Sequence, residues 1–312
     1  MTLRRALKFV LVSSALVTLT AILAGSFNRL NGQNAQKGAT AASSTKMEDC
    51  ATCHEDVVKA FARNPHTALQ KSPLYNIENP CESCHGPGEA HISGGGDKTK
   101  IISFKGQAKA AYSKQCLTCH SKNHEIEGFA ATMHAKNGLT CSDCHRVHSA
   151  AAMTKLLKQE TNALCFSCHN LQRAQFSKPF HHRIIEKAMT CVDCHQPHSG
   201  VEHRQIRTSS FGQEPCFKCH AEKEGPFVFE HAPTVIRNCY ACHEPHGSNN
   251  PKMLVRSTVY LMCLECHSSR PTSNIPGDIP PSFHNVLNPR YQNCTTCHVK
   301  IHGSNASEFF FR

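Results

Sequence analysis

The sequence predicts a chain of mostly coil and short α-helices, with little or no β structure, folded around a non-protein interior. Three observations lead to this fold class. Apolar residues make up 39% of the 312 residues, but 20 of them are cysteines. Without those cysteines the apolar share is about 33%, below the ~45–50% usual in globular chains. The chain has 17 glycines and 16 prolines, a loop-rich level, and its 23 histidines are too regularly placed for a disordered tail.

The cysteines form ten Cys-x-x-Cys pairs with none left over, and a histidine directly follows each pair. The pairs are Cys50/Cys53, Cys81/Cys84, Cys116/Cys119, Cys141/Cys144, Cys165/Cys168, Cys191/Cys194, Cys216/Cys219, Cys239/Cys242, Cys263/Cys266 and Cys294/Cys297. The histidines that follow them are His54, His85, His120, His145, His169, His195, His220, His243, His267 and His298.

This motif is the attachment site of c-type haem (heme c). Two thiols add to the two vinyl groups of one haem, and the adjacent histidine reaches the iron as its proximal ligand. A disulfide framework needs no histidine after each pair, and a zinc ribbon needs two Cys-x-x-Cys pairs for each metal. The sequence therefore predicts a multihaem cytochrome c with ten covalently attached haems in a linear array. The porphyrins supply the missing apolar interior, so folding depends on them.

Ten of the remaining histidines are candidates for a second axial ligand on each iron. Four follow a motif histidine by three or four residues: His148, His198, His246 and His302. Four others precede the next motif by seven to ten residues: His134, His182, His231 and His284. The N-terminal stretch adds His66 and His91. The surplus histidines are His124, His181 and His203, of which His181 competes with His182 for one site.

The spacing of these histidines bears on the function. A histidine three residues beyond a proximal ligand is too close along the chain to reach the opposite face of the same haem, so we expect it to bind a different one. The pattern repeats about every fifty residues, as in arrays of stacked units. Two histidines per iron leave no open position for a substrate, and no motif is altered. The sequence therefore favours an electron-transfer protein over an enzyme.

The net charge and the N-terminus indicate the environment. The formal charge is +11, but ten haems with two propionates each bring the oxidised protein to about +1 and the reduced protein to about −9. We therefore expect no nucleic-acid partner. Arg4, Arg5 and Lys8 precede an uncharged run, which predicts a signal peptide over residues 1–28, with an uncleaved anchor as the alternative. A flexible linker over 29–47 and a decahaem domain over 48–312 follow. Because the signal directs export and bacteria attach haem to this motif outside the inner membrane, the sequence predicts a periplasmic protein of a Gram-negative bacterium.

Local patterns predict three helices, over residues 48–64, 107–120 and 154–169, each carrying a motif. A glycine-rich loop over 86–106 is expected to hold His91. The phenylalanines at 309–311 are expected to pack on the last haem or to contact a partner.

Several phrases of the sequence resemble the decahaem MtrA/PioA/DmsE family of periplasmic cytochromes, over about residues 48–305. The phrases are Cys81-Glu-Ser-Cys-His-Gly-Pro-Gly-Glu-Ala-His91, Cys216-Phe-Lys-Cys-His-Ala-Glu-Lys-Glu-Gly-Pro226, Glu230-His-Ala-Pro233, Cys239-Tyr-Ala-Cys-His-Glu-Pro-His-Gly-Ser248 and His298-Val-Lys-Ile-His-Gly-Ser-Asn305. The family pattern supports nine of the ten second ligands, while the region around His284 departs from it, as does the Phe-rich end.

The resemblance implies an array of ten bis-His haems inside an outer-membrane β-barrel porin. Such an array passes electrons between a periplasmic or inner-membrane quinol-linked cytochrome and an extracellular multihaem cytochrome or mineral. Two alternatives stay open from the sequence. One is a soluble periplasmic carrier that donates to a terminal reductase of the dimethyl sulfoxide reductase type. The other is an oxidoreductase in its own right.

Overall fold

A computed structural model describes residues 45–73, 77–105, 109–123, 126, 128–148, 154–199, 205–207, 215–267 and 284–311. The predicted signal peptide over 1–28 and residues 29–44 of the predicted linker lie outside these ranges. The end of that linker belongs to the folded body, because Thr45 is buried and its hydroxyl accepts a hydrogen bond from the Asn79 amide. The first helix then begins at Met47.

Helices in the described part of the chain are short. The α-helices are α1 (Met47–Phe61), α2 (Glu82–His85), α3 (Glu89–Ser93), α4 (Lys109–His120), α5 (Met133–Lys136), α6 (Cys141–Cys144), α7 (Thr161–Phe166), α8 (Asn170–Phe176), α9 (Ala232–Val235) and α10 (Val259–Leu264). The 3₁₀ helices are Pro65–Lys71, Lys98–Lys100, Phe129–Ala131, Thr154–Leu156, Cys191–Asp193, Pro215–Lys218, Ala221–Lys223, Cys239–Ala241, Pro251–Met253, Pro289–Tyr291 and Cys294–Thr296. The predicted fold class, mostly coil with short helices, is confirmed.

Strand structure within the described ranges is limited to one antiparallel pair, β1 (Phe229–Glu230) and β2 (Gly303–Ser304), in which Phe229 lies opposite Ser304. Isolated β-bridges recur at three of the motif histidines. They join His145 to Leu157, His195 to Ile206 and His243 to Leu254. Each bridge joins a motif histidine to a residue eleven or twelve positions later, and the histidine three residues beyond that motif histidine lies between them in the sequence.

Polar side chains fix the start of two motif turns. Thr140 and Asp143 form a capping box around Cys141, and Thr190 and Asp193 form the same box around Cys191. In each box the aspartate accepts the backbone N–H of the threonine at 2.7 Å. A capping box satisfies backbone donors at a helix start without any help from a hydrophobic core. The geometry of these turns is therefore largely local.

Few apolar side chains of the described residues are buried. They are Phe129, Phe176, Ile184 and Phe217. Buried polar side chains in the same ranges outnumber them and include three asparagines, Asn64, Asn79 and Asn162. Protein side chains alone therefore form no large core here. Within the described ranges, no helix has both the length and the apolar character needed to cross a bilayer.

The structure confirms two of the three predicted helices and corrects the third. Helices α1 and α4 match the predictions closely. The single helix predicted over 154–169 is wrong, because Lys155 and Leu156 have positive φ values of 56° and 57° and break it. Helix α7 starts only at Thr161, where the Glu160 carboxylate accepts two backbone N–H groups. The predicted loop over 86–106 is likewise interrupted, since His91 lies on helix α3.

Candidate haem sites

Each Cys-x-x-Cys-His motif forms one tight turn. In eight motifs the backbone N–H of the histidine donates to the carbonyl of the first cysteine at 2.9 Å. The other two motifs lie within helices α1 and α4. A single turn therefore presents two thiols and one imidazole from five consecutive residues, as attachment to one porphyrin requires.

The two thiols of a motif differ in exposure, and none of the twenty cysteines forms a disulfide. The first cysteine of every motif is half-buried. The second cysteine is half-buried in three motifs, at Cys144, Cys194 and Cys242, and exposed in the other seven, at Cys53, Cys84, Cys119, Cys168, Cys219, Cys266 and Cys297. The exposed thiols are accessible for addition to a vinyl group.

Cys119 and Cys297 are the second thiols of the third and the tenth motif. Cys119 closes the motif at the end of helix α4, where the Thr118 hydroxyl lies 3.9 Å from its Sγ. Cys297 follows the 3₁₀ helix Cys294–Thr296, and its backbone N–H donates to the Cys294 carbonyl. Both side chains are exposed, so the contacts of these two thiols do not by themselves indicate haem. Their predicted attachment to a porphyrin rests on the motif and on the adjacent histidine, and it stays a prediction.

Every motif histidine has a partner histidine from outside the motifs, with ring centroids 5.8 to 6.4 Å apart. The pairs are His54–His91, His85–His148, His120–His66, His145–His198, His169–His134, His195–His246, His220–His182, His243–His302, His267–His231 and His298–His284. The structure thus brings together all twenty histidines that the sequence singled out, one pair for each motif.

The spacing of the pairs fits two imidazoles bound to opposite faces of one metal ion. An imidazole nitrogen binds a first-row metal at about 2.0–2.1 Å, and its ring centre lies about 1 Å further, so the two centroids are about 6 Å apart. A direct ring stack is closer, as in His284 on Tyr291, with centroids 4.7 Å apart. Each pair could supply two nitrogen ligands to the iron of a porphyrin, which would itself supply four. The residues present therefore fit haem.

Hydrogen bonds at Nδ1 orient many of these rings. The Nδ1–H groups of four motif histidines donate to backbone carbonyls further along the chain: His85, His145, His243 and His298. Two partner histidines, His91 and His182, also donate to backbone carbonyls. Two others, His66 and His246, donate to the side-chain amides of Asn64 and Gln175. Such bonds fix the tautomer and leave Nε2 for a metal.

Burial holds several partner histidines in the neutral form. Desolvation is the main cause that lowers the pKa of His66, His148 and His231. The pKa of His302 falls to about 4, mainly through burial and then through the positive charge of Lys223. Neutral imidazole is the form that binds a metal, so these rings are suited to ligation at neutral pH.

The surplus histidines are placed differently. His181 does not approach a motif histidine. Its Nδ1 contacts the Lys178 carbonyl, and its Nε2 lies 2.9 Å from the Glu186 carboxylate, which raises the pKa of His181. The neighbouring His182 is the residue that pairs with His220. His124 and His203 lie outside the described residues.

Eight of the ten pairs follow one of two rules along the sequence. A histidine just after a motif pairs with the motif histidine two motifs earlier, as His148 does with His85. A histidine ahead of a motif pairs with the motif after that one, as His134, which precedes Cys141, does with His169. The two exceptions are His284, which pairs with the motif that follows it directly, and His91, which pairs with the motif directly before the one that it follows. Sequence reasoning predicted crossed ligation but could not assign these partners.

Loops that carry partner histidines of successive motifs also contact each other. Phe180 and Ser248 exchange two backbone hydrogen bonds of 3.1 and 2.8 Å, next to His182 and His246. Strands β1 and β2 make the corresponding contact next to His231 and His302. In the N-terminal part the contact runs through the side chain of Asn64, which donates to the Val147 carbonyl. Adjacent sites are therefore tied together by the protein.

Thiols of successive motifs interact electrostatically or by hydrogen bonds. The interacting pairs are Cys50–Cys81, Cys84–Cys116, Cys116–Cys141, Cys144–Cys165, Cys165–Cys191, Cys194–Cys219, Cys242–Cys266 and Cys263–Cys294. At these eight steps, motifs that are consecutive in the sequence are also neighbours in space.

Comparison with known proteins agrees with this arrangement. A model described as "Doubled CXXCH motif" matches residues 133–174, 181–225 and 231–272, and one described as "Cytochrome c554 and c-prime" matches 24–86. The multiheme cytochrome MtrA of Shewanella baltica is 35% identical over 270 residues, which is 83% of this chain and 78% of that protein. The chain belongs to the MtrA family of multihaem cytochromes. It therefore carries covalently bound haem c and transfers electrons.

A weaker likeness links this member of the MtrA family to a solved structure. That structure is the undecaheme cytochrome from the S-layer of Carboxydothermus ferrireducens, at 20% identity and a TM-score of 0.15. The match covers 74% of this chain and 32% of the solved chain, so the present chain spans about a third of that protein. A TM-score this low says nothing further about the fold of the MtrA-family chain.

Proposed function

We propose that the ten histidine pairs are the axial ligands of ten c-type haems. We further propose that the chain conducts electrons along this array as the central component of an outer-membrane conduit. The observation that supports it most is the one-to-one pairing of ten motif histidines with ten others, at 5.8 to 6.4 Å in every case. The Cys-x-x-Cys thiols would hold each porphyrin through two thioether bonds.

The protein residues would act by holding the two imidazole rings of each pair in a fixed orientation. When bound, each haem supplies an iron that gains or loses one electron. Each histidine pair would occupy both of the positions that a porphyrin leaves on the iron, so no position would be open for a substrate. Hydrogen bonds from Nδ1 to carbonyls, such as that of His182 to Pro245 at 2.8 Å, hold the rings in one orientation. Rigid ligation favours electron transfer over bond-making.

The conduit role is supported by family membership and by the physics of membranes. A closed β-barrel is the structure that can enclose a polar or irregular chain across an outer membrane. The proposed partners are an outer-membrane β-barrel porin, a periplasmic or inner-membrane quinol-linked cytochrome, and an extracellular multihaem cytochrome or mineral. The proposed location is the periplasm, in association with the outer membrane.

Purification from outer membranes in mild detergent tests the conduit. We expect a large β-barrel protein without haem motifs to co-purify with the cytochrome in a fixed ratio. A wash of the same membranes in high salt serves as the control, because a peripherally bound cytochrome dissociates under that treatment. Recovery of the cytochrome as a soluble protein without a barrel would instead support the periplasmic carrier that feeds a reductase.

The haem count and the ligation are tested separately. The intact mass of the purified protein should exceed that of the mature polypeptide by ten haems. Electron paramagnetic resonance of the oxidised protein should show low-spin iron only, since bis-His ligation is low-spin. A substantial high-spin signal would contradict bis-His ligation throughout and would favour an enzyme with an open iron site.

A further inference from the structure

Asn64 contacts two of the candidate haem sites at once. It is 2% exposed and caps the 3₁₀ helix Pro65–Lys71. Its Oδ1 accepts the backbone N–H of His66 at 3.0 Å and the Nδ1–H of the same residue at 2.9 Å. Its Nδ2 donates to the Val147 carbonyl at 2.7 Å. Every polar atom of this buried amide is therefore engaged.

The two groups held by Asn64 belong to neighbouring sites. His66 pairs with His120 of the third motif. Val147 directly precedes His148, which pairs with His85 of the second motif. The second and third motifs are adjacent, because the thiols of Cys84 and Cys116 interact. Asn64 thus links His66 and His148. These two histidines belong to successive sites and are 82 residues apart in the sequence.

The hydrogen bond to Val147 also determines which end of the amide faces His66. If the amide were reversed, its NH₂ group would face the Nδ1–H donor and its oxygen would face the Val147 carbonyl. Both contacts would then be repulsive. The present orientation therefore offers His66 an acceptor and fixes the donating tautomer. A hydrogen bond of this kind raises the basicity of an imidazole ligand and thereby stabilises the oxidised metal.

We propose that Asn64 is a positioning residue shared by two axial ligands. It lowers the reduction potential of the haem bound by His66 and His120, and through Val147 it holds His148 on the neighbouring haem. This inference rests on the bis-His ligation proposed above. Elsewhere most Nδ1 acceptors are backbone carbonyls, so Asn64 is one of the few such contacts that a substitution can remove.

Two substitutions with opposite expected effects test the proposal in the full holoprotein. Asn64→Ala removes the acceptor, so the potential of one haem should rise. Asn64→Asp keeps an acceptor for His66 and makes it charged, so that potential should fall, while loss of the donor to the Val147 carbonyl should affect only the neighbouring His148 site. We expect the ratio of reduced to oxidised haem at that centre to change by about tenfold, which is about 59 mV for a one-electron couple. Spectropotentiometry and electron paramagnetic resonance provide the measurements.

Asn79→Ala is the matched control. Asn79 is equally buried, at 1% exposure, but its amide binds Thr45 and the backbone N–H of Cys81 and no histidine ring. This control should leave the potential of the His66–His120 centre unchanged. The proposal fails if both Asn64 variants keep wild-type potentials, or if both simply lose the same low-spin centre. High-spin iron in the wild-type protein would instead refute the bis-His ligation itself.

Discussion

At the residue scale, the contacts at the second imidazole nitrogen distinguish ligand histidines from others. Nδ1 of His182 donates to the Pro245 carbonyl, while the ring of His181 is bound by Lys178 and Glu186 on both nitrogens. A ring with both nitrogens engaged has none left for a metal. Two adjacent residues of the same type therefore have different roles because of their partners.

Replacement of these two neighbours gives the most direct test of ligand assignment. His182→Ala should convert one of the ten low-spin centres to high spin, because His182 faces His220 with centroids 6.4 Å apart. His181→Ala is the matched control and should leave all ten centres low-spin. Electron paramagnetic resonance of the oxidised variants measures both outcomes. The assignment is wrong if the alanine at 181 has the larger effect.

A second substitution changes the ligand type while retaining ligation. His198→Met should leave the haem at His145 attached through its thioethers and shift the spectrum of one low-spin centre. The reason is that His198 lies opposite His145 with ring centroids 6.0 Å apart. Absorption and electron paramagnetic resonance spectra provide the check. An unchanged spectrum removes His198 from the ligand set.

At the scale of elements, short backbone pairings align segments between which few hydrophobic side chains are buried. Strands β1 and β2 are two residues each, yet they align the segments that carry His231 and His302. Gly303 in β2 has φ +144°, and a Cβ there would collide with the ring of Phe227. The close approach of this ring therefore requires glycine.

Gly303→Ala should disturb this element and the ligand beside it. Displacement of the Phe227 ring should cost about 1–3 kcal/mol of unfolding free energy and alter the centre formed by His302 and His243. Gly138→Ala is the control, since Gly138 also has positive φ, +77°, but no atom lies within 4 Å of the added Cβ. Denaturant unfolding and low-spin spectra measure the difference. Equal effects of the two substitutions would indicate backbone strain alone.

At the scale of the whole molecule, the proposed ligation by the histidine pairs would make the haems part of the fold. Most partner histidines face a motif histidine far away in the sequence, with separations of up to 63 residues, as between His85 and His148. Only four large apolar side chains, apart from prolines, are buried in the described ranges. Most of the long-range order should therefore depend on ligation.

Haem removal should consequently abolish the fold. Protein made without haem attachment should show no cooperative unfolding transition, whereas the holoprotein should unfold cooperatively. Circular dichroism during denaturant titration distinguishes the two. A cooperative transition in the haem-free chain would mean that protein contacts alone specify the fold.

The linear order of motifs predicts that a central haem is essential for conduction. A double substitution, Cys165→Ala with Cys168→Ala, should remove the fifth haem and reduce electron transfer between the ends to near background. The same change at Cys50 and Cys53 is the control, because it shortens the array without interrupting it. Transfer between dyes on the two sides of a liposome that holds the barrel complex is the readout. An unchanged rate for the central variant contradicts conduction along the array.

The sequence by itself determined the features that depend on neighbouring residues. A five-residue motif such as Cys141 to His145 contains two thiols and a histidine, so haem attachment could be predicted from it, and the low apolar share of the chain predicted the coil-rich fold class. The helix predicted over 154–169 failed because the break at Lys155 depends on the return of Leu157 to His145. The contact of Asn64 with Val147 could not be predicted, because it joins residues that are 83 positions apart in the sequence.

Only the tertiary structure decided which histidine faces which motif. His181 and His182 are the same residue type at adjacent positions. Which of them faces a motif histidine depends on the surroundings of each ring. The crossed order of the pairs and the amide shared by two sites likewise join segments that are far apart in the chain. Such contacts depend on how loops pack against each other in three dimensions, and the spacing of residues along the chain does not specify this.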